Sequence, residues 1–350
     1  MTTRADEPDD QKTDAWREPS LDETYLIERF ASRPAADPGT EGSDVPAGVA
    51  GSLDDQDVSE VELYVERVGR PGARTVYYLH GGPGYNSYSF RELVGDDLAD
   101  YDVIYADQRG GGRSYGAATV SVTTLAEDVL AVLDGLGVGS ATLLAHGFGA
   151  AIAVRTAVLR PERIDRVVLV NPWLSMPLLA QAMNDEARNL ASGTLRSQRD
   201  AEEDGEEDAD GPDVDAAPTS DPQSLVDEAF GIVNPKVLFD AMEFPTASGR
   251  LHLEHVDAVA LTGDMSDEVP AGVWSIDELA SLERLDAVSV PVVVVSGNHD
   301  LTSYPVQAEQ ALLRSPSALF SLLDTGHYPW IDDPDTFAEV LRAALGDDAG

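Results

Sequence analysis

Apolar and polar residues alternate along this chain in two rhythms, which change where one predicted element ends and the next begins. Residues 58–69 alternate apolar and charged side chains with period two, which predicts a strand with one exposed face. Short and nearly continuous apolar runs follow, and such runs are typical of strands buried on both faces. These runs cover residues 75–79, 102–106, 141–145, 166–170, 291–297 and 318–323.

Helical periodicity separates these strands. From Thr124 onward, one face of a predicted amphipathic helix is apolar; it carries Leu125, Val129, Leu133 and Leu136. Further helices are predicted at 149–159, around 305–313 and at 334–345. Strands that alternate with helices predict an α/β fold with a mainly parallel sheet flanked by helices on both faces.

The N-terminal segment, residues 1–57, does not follow this alternation. It is rich in Asp, Glu, Pro, Gly and Ser, which predicts an acidic and largely disordered segment. A short helix is expected within it at "SLDETYLIERF", where Ser20 and Glu23 have the spacing of a capping box.

A second interruption, residues 173–285, separates two parts of the predicted core at 58–172 and 286–350. Its helix-like pieces predict an inserted, mostly helical cap domain. Within it, the acidic insert at about 200–222 contains almost nothing apolar, so a solvated loop is expected there.

The charge balance is strongly acidic: 64 Asp and Glu against 23 Lys and Arg give a net charge of −41 at pH 7. Such a surface repels nucleic acids and anionic membranes, so neither is expected as a partner. Acidic residues recur on otherwise ordinary helices and strands, which favours a halophilic protein kept soluble at high salt. A mesophilic protein with an acidic tail is the alternative. The sequence does not indicate an oligomeric state.

Cysteine is absent, which excludes disulfides and thiolate metal sites. The first residues contain no apolar signal region, and no apolar run approaches the roughly 20 residues of a membrane helix. We therefore expect a soluble, cytoplasmic protein. His252 and His255 are three residues apart without a matching ligand cluster, so neither a metal nor another cofactor is expected.

Glycine-rich motifs follow two of the predicted strands, at the sheet edge where ligands bind in parallel sheets. The first is "HGGPG", which comprises His80, Gly81, Gly82, Pro83 and Gly84. Its glycines let backbone N–H groups approach a ligand closely, as an oxyanion hole requires. The second is "DQRGGGRS" at 107–114, where Asp107 is expected to pair with Arg109 and Gly110 permits a tight turn.

A third motif, "LAHGFGA", joins the strand at 141–145 to the next helix. A small-x-Ser-x-Gly turn in this context is the nucleophile elbow of serine hydrolases, but Gly147 occupies the serine position. Glycine suits the strained backbone of such a turn better than serine does. The turn is therefore expected to persist without its hydroxyl.

Asp300 and His327 follow the last two strands. The chain order of position 147, Asp300 and His327 matches nucleophile, acid and histidine in serine hydrolases of this type. In that arrangement the acid orients the imidazole and the imidazole moves the proton. His80 and His146 flank the same region, where packing or hydrogen bonding is their expected role.

Together, "HGGPG" and "DQRGGGRS" resemble signatures of the proline-iminopeptidase-like branch of the α/β-hydrolase superfamily. The resemblance covers roughly residues 58–172 and 286–346 and is weak in the predicted cap. It implies an α/β-hydrolase fold in which Asp300 and His327 have triad roles.

The same resemblance implies that the backbone N–H groups of Gly82 and Phe148 stabilise an oxyanion. It also implies a small-molecule or short-peptide substrate with a free N-terminal residue, often proline, whose amine meets acidic cap residues. Glu186 and Glu243 are candidates for that contact by location alone.

Gly147 departs from the family's serine, so no acyl-enzyme can form there. Three interpretations stay open. The protein is a hydrolase in which His327 and Asp300 activate water, or a catalytically silent ligand-binding or regulatory protein on the same fold. The third is that Gly147 is a laboratory change or a sequence variant.

Overall fold

The computed structural model describes residues 24–30, 60–82, 84–114, 120–193, 221–260, 282–315 and 317–346. Their centre is one sheet of eight strands. These are β1 (Thr24–Phe30), β2 (Glu60–Gly69), β3 (Thr75–Leu79), β4 (Asp102–Ala106), β5 (Ala141–His146), β6 (Ile164–Val170), β7 (Val292–Gly297) and β8 (Leu319–Leu323).

The strand order in this sheet is β1-β2-β4-β3-β5-β6-β7-β8. β2 runs antiparallel to both of its neighbours, and every pairing from β4 to β8 is parallel. Parallel strands need crossover connections, which here contain the helices that cover the sheet. The predicted α/β class with a mainly parallel sheet is confirmed, and the bounds of the predicted strands agree with β3–β8 to within two residues. The expected burial is wrong for β8, which is largely exposed because it lies at an edge of the sheet.

Ten α-helices are described. They are α1 (Tyr88–Val94), α2 (Val122–Gly135), α3 (Gly149–Leu159), α4 (Met176–Ser192), α5 (Pro222–Ile232), α6 (Pro235–Glu243), α7 (Ala247–Ala260), α8 (Val306–Arg314), α9 (Pro329–Asp332) and α10 (Pro334–Leu345). Short 3₁₀ turns occur at Gly95–Leu98, Pro161–Arg163 and Leu282–Ala287. No helix in these described segments is both long and apolar enough to cross a membrane.

Strand β1 corrects the prediction of a helix in "SLDETYLIERF". Its residues pair with β2 in antiparallel register, with Leu26 opposite Tyr64. Thr, Tyr, Ile and Phe favour strands, and pairing with a distant strand outweighs the local helix signal. Ser20 and Glu23, like all of the N-terminal segment except residues 24–30, lie outside the described residues.

Helix α2 begins at Val122, two residues before the predicted start. Ser121 is its N-cap, and the Ser121 hydroxyl accepts a hydrogen bond from the Thr124 N–H. The Thr124 side chain in turn accepts from the Ser121 N–H at 2.9 Å. Thr124 is therefore the third residue of the helix, where its hydroxyl replaces the usual Glu or Gln of a capping box.

Helices α4 to α7 lie between β6 and β7 and form what we term the helical insertion. Its apolar side chains, such as Leu179, Met183, Leu238 and Met242, are buried in the same apolar cluster as one face of the sheet. The insertion thus packs onto one face of the sheet. Of the predicted acidic insert, only Asp221 and Pro222 are described, and they start α5.

Candidate active site

The site is built on the loops that follow β3, β5, β7 and β8. Gly147 comes directly after β5 and has a φ of +51°, a backbone conformation that residues other than glycine rarely adopt. Its N–H donates to Val170 O at 3.1 Å, and its carbonyl accepts from the Trp173 N–H at 3.0 Å. These two bonds fix the turn against the end of β6.

An imidazole and a carboxylate face this turn. His327 Nδ1 lies 2.9 Å from Asp300 Oδ2, and both side chains are buried. Because a carboxylate accepts, the Nδ1 atom carries the proton and the neutral ring has a free lone pair on Nε2. That Nε2 atom is 3.2 Å from the position a β-carbon at Gly147 would take.

The electrostatics of His327 reflect two opposing effects. Burial lowers the pKa of the imidazole, but the charge and hydrogen bond of Asp300, together with Glu243, outweigh it. The net result is a pKa raised above the ordinary histidine value. A raised pKa makes the imidazole a stronger base toward a proton on a bound molecule.

Thr302 supports this pair and was not identified from the sequence. Its hydroxyl donates to Asp300 Oδ1 at 2.5 Å, and its N–H donates to the same oxygen at 2.9 Å. Trp173 Nε1 donates to the Thr302 hydroxyl at 2.8 Å. These hydrogen bonds occupy Oδ1 of Asp300, so Oδ2 is the oxygen that faces His327.

Asn171 is a second positioning residue that sequence reasoning missed. Its side-chain N–H group donates to the carbonyls of Gly326 and His327 at 3.0 and 2.9 Å. Its Oδ1 accepts from the Gly297 N–H at 2.7 Å, and its own φ is +46°. Asn171 therefore joins the ends of β6, β7 and β8. An Asn between a buried strand and Pro172 was the available signal.

His80 and His146 hold loops together. His80 Nε2 accepts from the Gln108 N–H at 2.9 Å, so its proton lies on Nδ1, which donates to Gly81 O at 2.7 Å. His146 Nε2 donates to His327 O at 2.9 Å. Burial lowers the pKa of both rings, which keeps them neutral. The expected hydrogen-bonding role agrees with these contacts.

The expected pairing of Asp107 with Arg109 is wrong. Asp107 pairs with Arg113, whose Nε lies 2.7 Å from Oδ2, and it also accepts from the Ser87 hydroxyl at 2.7 Å. Arg109 instead makes two 2.5 Å hydrogen bonds to Asp128 on α2. Arg113 belongs to the same loop as Asp107, whereas the partner of Arg109 lies on α2.

The loop after β3 adjoins the turn at Gly147. The Cα of Gly81 is 3.6 Å from the position of a β-carbon at residue 147. Gly82 has a φ of +108°, and a β-carbon there would lie only 2.9 Å from the backbone nitrogens of Gly84 and Tyr85. Gly84 and Gly110 also have positive φ. Phe148 is the buried residue that precedes α3.

The two candidate glutamates lie in different surroundings. Glu243, at the end of α6, accepts the His327 N–H through its carbonyl at 2.8 Å. Burial raises the pKa of its carboxyl group to about 7, although the residue is only partly buried by its exposed surface area. The charge of His327 and a hydrogen bond from Tyr328 lower this pKa but do not outweigh burial. Glu186 is buried on α4, where it accepts from Asn189 Nδ2 at 3.4 Å. Glu243 alone of the two has a described contact with His327.

His252 and His255 lie on α7 in the helical insertion. His252 lines a surface cavity of about 400 Å³ with His299, Asp324 and Asp332. Among the described residues, no group of three or more His, Asp or Glu side chains is arranged to hold a metal ion.

Comparison with known proteins shows the family to which the fold belongs. The family described as "alpha/beta hydrolase fold" matches residues 74–334. A proline iminopeptidase of Neisseria meningitidis is 25% identical over 307 residues, covering 82% of this chain and 93% of its own. The crystal structure of a proline iminopeptidase-related protein from Thermus thermophilus is 34% identical, with a TM-score of 0.66, covering 81% of this chain and 93% of its own.

Proposed function

Because the chain belongs to the α/β-hydrolase family and is similar to proline iminopeptidases, we propose that it hydrolyses amide or ester bonds of small substrates. In this proposal the nucleophile is a water molecule placed beside Gly147 and activated by His327 and Asp300. The observation that carries it is the free Nε2 lone pair of His327, which faces the position of the missing serine side chain at 3.2 Å. A water there replaces the absent CH₂OH group.

The reaction then proceeds in two steps. His327 Nε2 takes a proton from the water while the water oxygen bonds to the substrate carbonyl carbon, whose oxygen becomes an oxyanion. The intermediate collapses as His327 returns the proton to the leaving nitrogen or oxygen, and a carboxylic acid is released. The Asp300 carboxylate stabilises the charged imidazole between the steps.

We assign the oxyanion to the backbone N–H groups of Gly82 and Phe148. Support comes from the positive φ of Gly82, which turns its backbone at the end of β3, and from the approach of this loop to Gly147. Phe148 follows Gly147 at the start of α3, where helix N–H groups favour negative charge. His80, Gly81, Gly84, Asp107, Arg109 and Gly110 would hold these loops.

The rate should be modest. When the serine nucleophile of the protease subtilisin is removed, turnover falls by on the order of a million-fold. General-base catalysis contributes roughly 10²–10⁴-fold, so a water mechanism restores only part of that loss. Substrates with easily expelled leaving groups are therefore the appropriate probes.

Turnover of prolyl and alanyl p-nitroanilides and of p-nitrophenyl esters tests this proposal. Wild-type protein should turn over at least one of them faster than the His327→Ala and Asp300→Asn variants. Equal rates in all three proteins would rule out hydrolysis by this pair.

A ligand-binding protein without turnover is the second candidate. The observation that favours it is that glycine holds φ of +51° at the turn without strain, while the side-chain contacts around His327 are kept. It predicts ligand-dependent thermal stabilisation by proline or small peptides and no hydrolysis. Robust turnover that depends on His327 rejects it.

We further propose that residues 173–285 act as a cap domain on a core formed by 58–172 and 286–350. We also propose that the protein is cytoplasmic and halophilic. Support for salt adaptation comes from the net charge of −41, which salt would screen. Thermal unfolding in increasing potassium chloride tests it: the Tm should rise steeply, beyond the effect of an equally osmotic sugar.

A further inference from the structure

Strand β8 is one of the two edge strands of the described sheet, and its side chains are largely exposed. In the strand order of the sheet, β8 pairs with β7 on one side, and no strand among the described residues pairs with its other side. Leu319, Phe320 and Leu322 are 65%, 38% and 46% exposed, whereas all six residues of β7 are buried. Neighbouring residues of a strand point to opposite faces, so both faces of this edge are open.

The apolar exposure is concentrated here. Within the described residues, seven large apolar side chains are exposed, and four of them belong to α8 and β8. The fourth is Leu313, which is 64% exposed at the end of α8. An exposed apolar edge strand is a site for association with another strand, and charged residues normally protect such edges. β8 contains none.

The charge pattern identifies the occupant. Residues 315–323, "SPSALFSLL", carry no charge in a chain whose net charge is −41. Two copies of so acidic a protein repel each other, and contact at a surface without charged side chains adds least to that repulsion. A basic partner would instead bind the acidic surface and would gain nothing from this edge.

The sequence of β8 is also self-complementary. Two apolar residues precede Ser321 and two follow it. An antiparallel pairing with a two-fold axis at Ser321 places apolar residues opposite apolar residues along the whole strand. Such an axis is the symmetry of the commonest soluble oligomers.

We propose that the protein forms a two-fold dimer in which β8 pairs antiparallel with β8 of a second copy, giving a continuous sheet of sixteen strands. Leu319 lies opposite Leu323 of the partner subunit, and Phe320 lies opposite Leu322 of the partner subunit. Because the chains repel each other, the dimer strengthens as salt screens their charge. Such a dimer forms whether or not the protein is a hydrolase.

A single introduced cysteine tests the axis directly, because the natural chain has no cysteine. Directly opposed residues of antiparallel strands have Cα atoms about 4.5–5.5 Å apart, within reach of a disulfide. Ser321→Cys should therefore form a covalent dimer under mild oxidation. Ser192→Cys, at the exposed end of α4, is the matched control and should stay monomeric on a non-reducing gel.

Sedimentation velocity in molar salt gives the second test. Wild-type protein should sediment as a dimer of twice 37.3 kDa, and Leu319→Asp and Leu322→Asp should weaken the dimer at least ten-fold. Both positions are exposed, and a thermal melt checks that the variants fold. A wild-type protein that stays monomeric at every concentration would overturn the proposal. So would a dimer that persists in both aspartate variants and that Ser321→Cys does not cross-link.

Discussion

His327 Nε2 lies 3.2 Å from the place where a β-carbon at Gly147 would stand, and the imidazole is held from behind by Asp300 at 2.9 Å. The fold thus aligns a base with a position that has no side chain. Because the separation is slightly tighter than ordinary van der Waals contact, a side chain at 147 would touch the ring. A hydroxyl introduced at this position would therefore meet a base already in place.

Gly147→Ser should create a reactive hydroxyl. Serine at this position would lie within reach of His327 Nε2, which can accept its proton. The variant should become covalently labelled by a fluorophosphonate probe, whereas wild type should not. The positive φ should reduce the free energy of unfolding by about 1–2 kcal/mol.

Gly147→Ala is the matched control for this experiment. It imposes the same backbone strain without a hydroxyl, so it should lose similar stability and take no label. A folded Gly147→Ser protein that stays unlabelled would show that residue 147 is not the nucleophile position. Adding Asp300→Asn to Gly147→Ser should slow the labelling.

Asp300→Asn should lower the pKa of His327, because the carboxylate charge that raises it is removed. The imidazole C–H signal in NMR titrations should therefore shift its midpoint to lower pH; His327→Ala identifies that signal. Any His327-dependent hydrolysis should rise with pH through the same midpoint, since only the neutral ring is a base. An unchanged midpoint would mean that Asp300 does not control this imidazole.

The raised pKa of His327 also affects folding. A histidine whose pKa is higher in the folded than in the unfolded state stabilises the fold when it is protonated. This contribution is complete below the pKa of the unfolded state, here 6.5, and is lost as the pH rises through the pKa of the folded state. Wild type should therefore lose more stability across that window than Asp300→Asn does. Urea unfolding at pH values on both sides of the window measures the difference.

Much of the site could be predicted because its parts mark the ends of strands. Gly147 and Asp300 each follow an apolar run that is visible in the sequence, so their convergence follows from the parallel sheet. The pairing of β1 could not be predicted, because the spacing of Ser20 and Glu23 favoured a local helix and the partner β2 begins 30 residues after β1 ends. Local propensity carries no information about such a pairing.

The positioning residues could not be predicted for a similar reason. Asn171 binds backbone groups 126 to 156 positions away, and a lone Asn before a proline is ordinarily a turn residue. The partner of Arg109 lies 19 residues away, on a helix, whereas the sequence suggested an acid two residues away. Long-range side-chain partners depend on the packing of whole elements.

The buried pair of Arg109 and Asp128 should be important for stability. Arg109→Ala removes the guanidinium that makes two hydrogen bonds to the buried Asp128 carboxylate, which should cost about 3–5 kcal/mol of unfolding free energy. The exposed pair of Arg188 and Glu228, 58% and 48% exposed, is the matched control. Arg188→Ala should change stability by less than about 1 kcal/mol. Similar losses in the two variants would contradict this.

Glu243→Gln should alter both the pH dependence of stability and the titration of His327. Burial raises the pKa of the Glu243 carboxyl from 4.5 to about 7 in the folded state. Between these values the folded protein binds a proton that the unfolded chain does not, so wild-type stability falls as pH rises. The glutamine variant cannot ionise and should lack this fall.

The same substitution should lower the pKa of His327, because ionised Glu243 contributes to raising it. Glu339→Gln, on the exposed face of α10, removes an equal charge far from the described contacts of His327 and should change neither readout. Urea unfolding across the window and NMR titration of the imidazole give the two measurements. If Glu243→Gln and Glu339→Gln behaved alike, Glu243 would have no electrostatic link to His327, and the raised pKa of His327 would have to come from Asp300 alone.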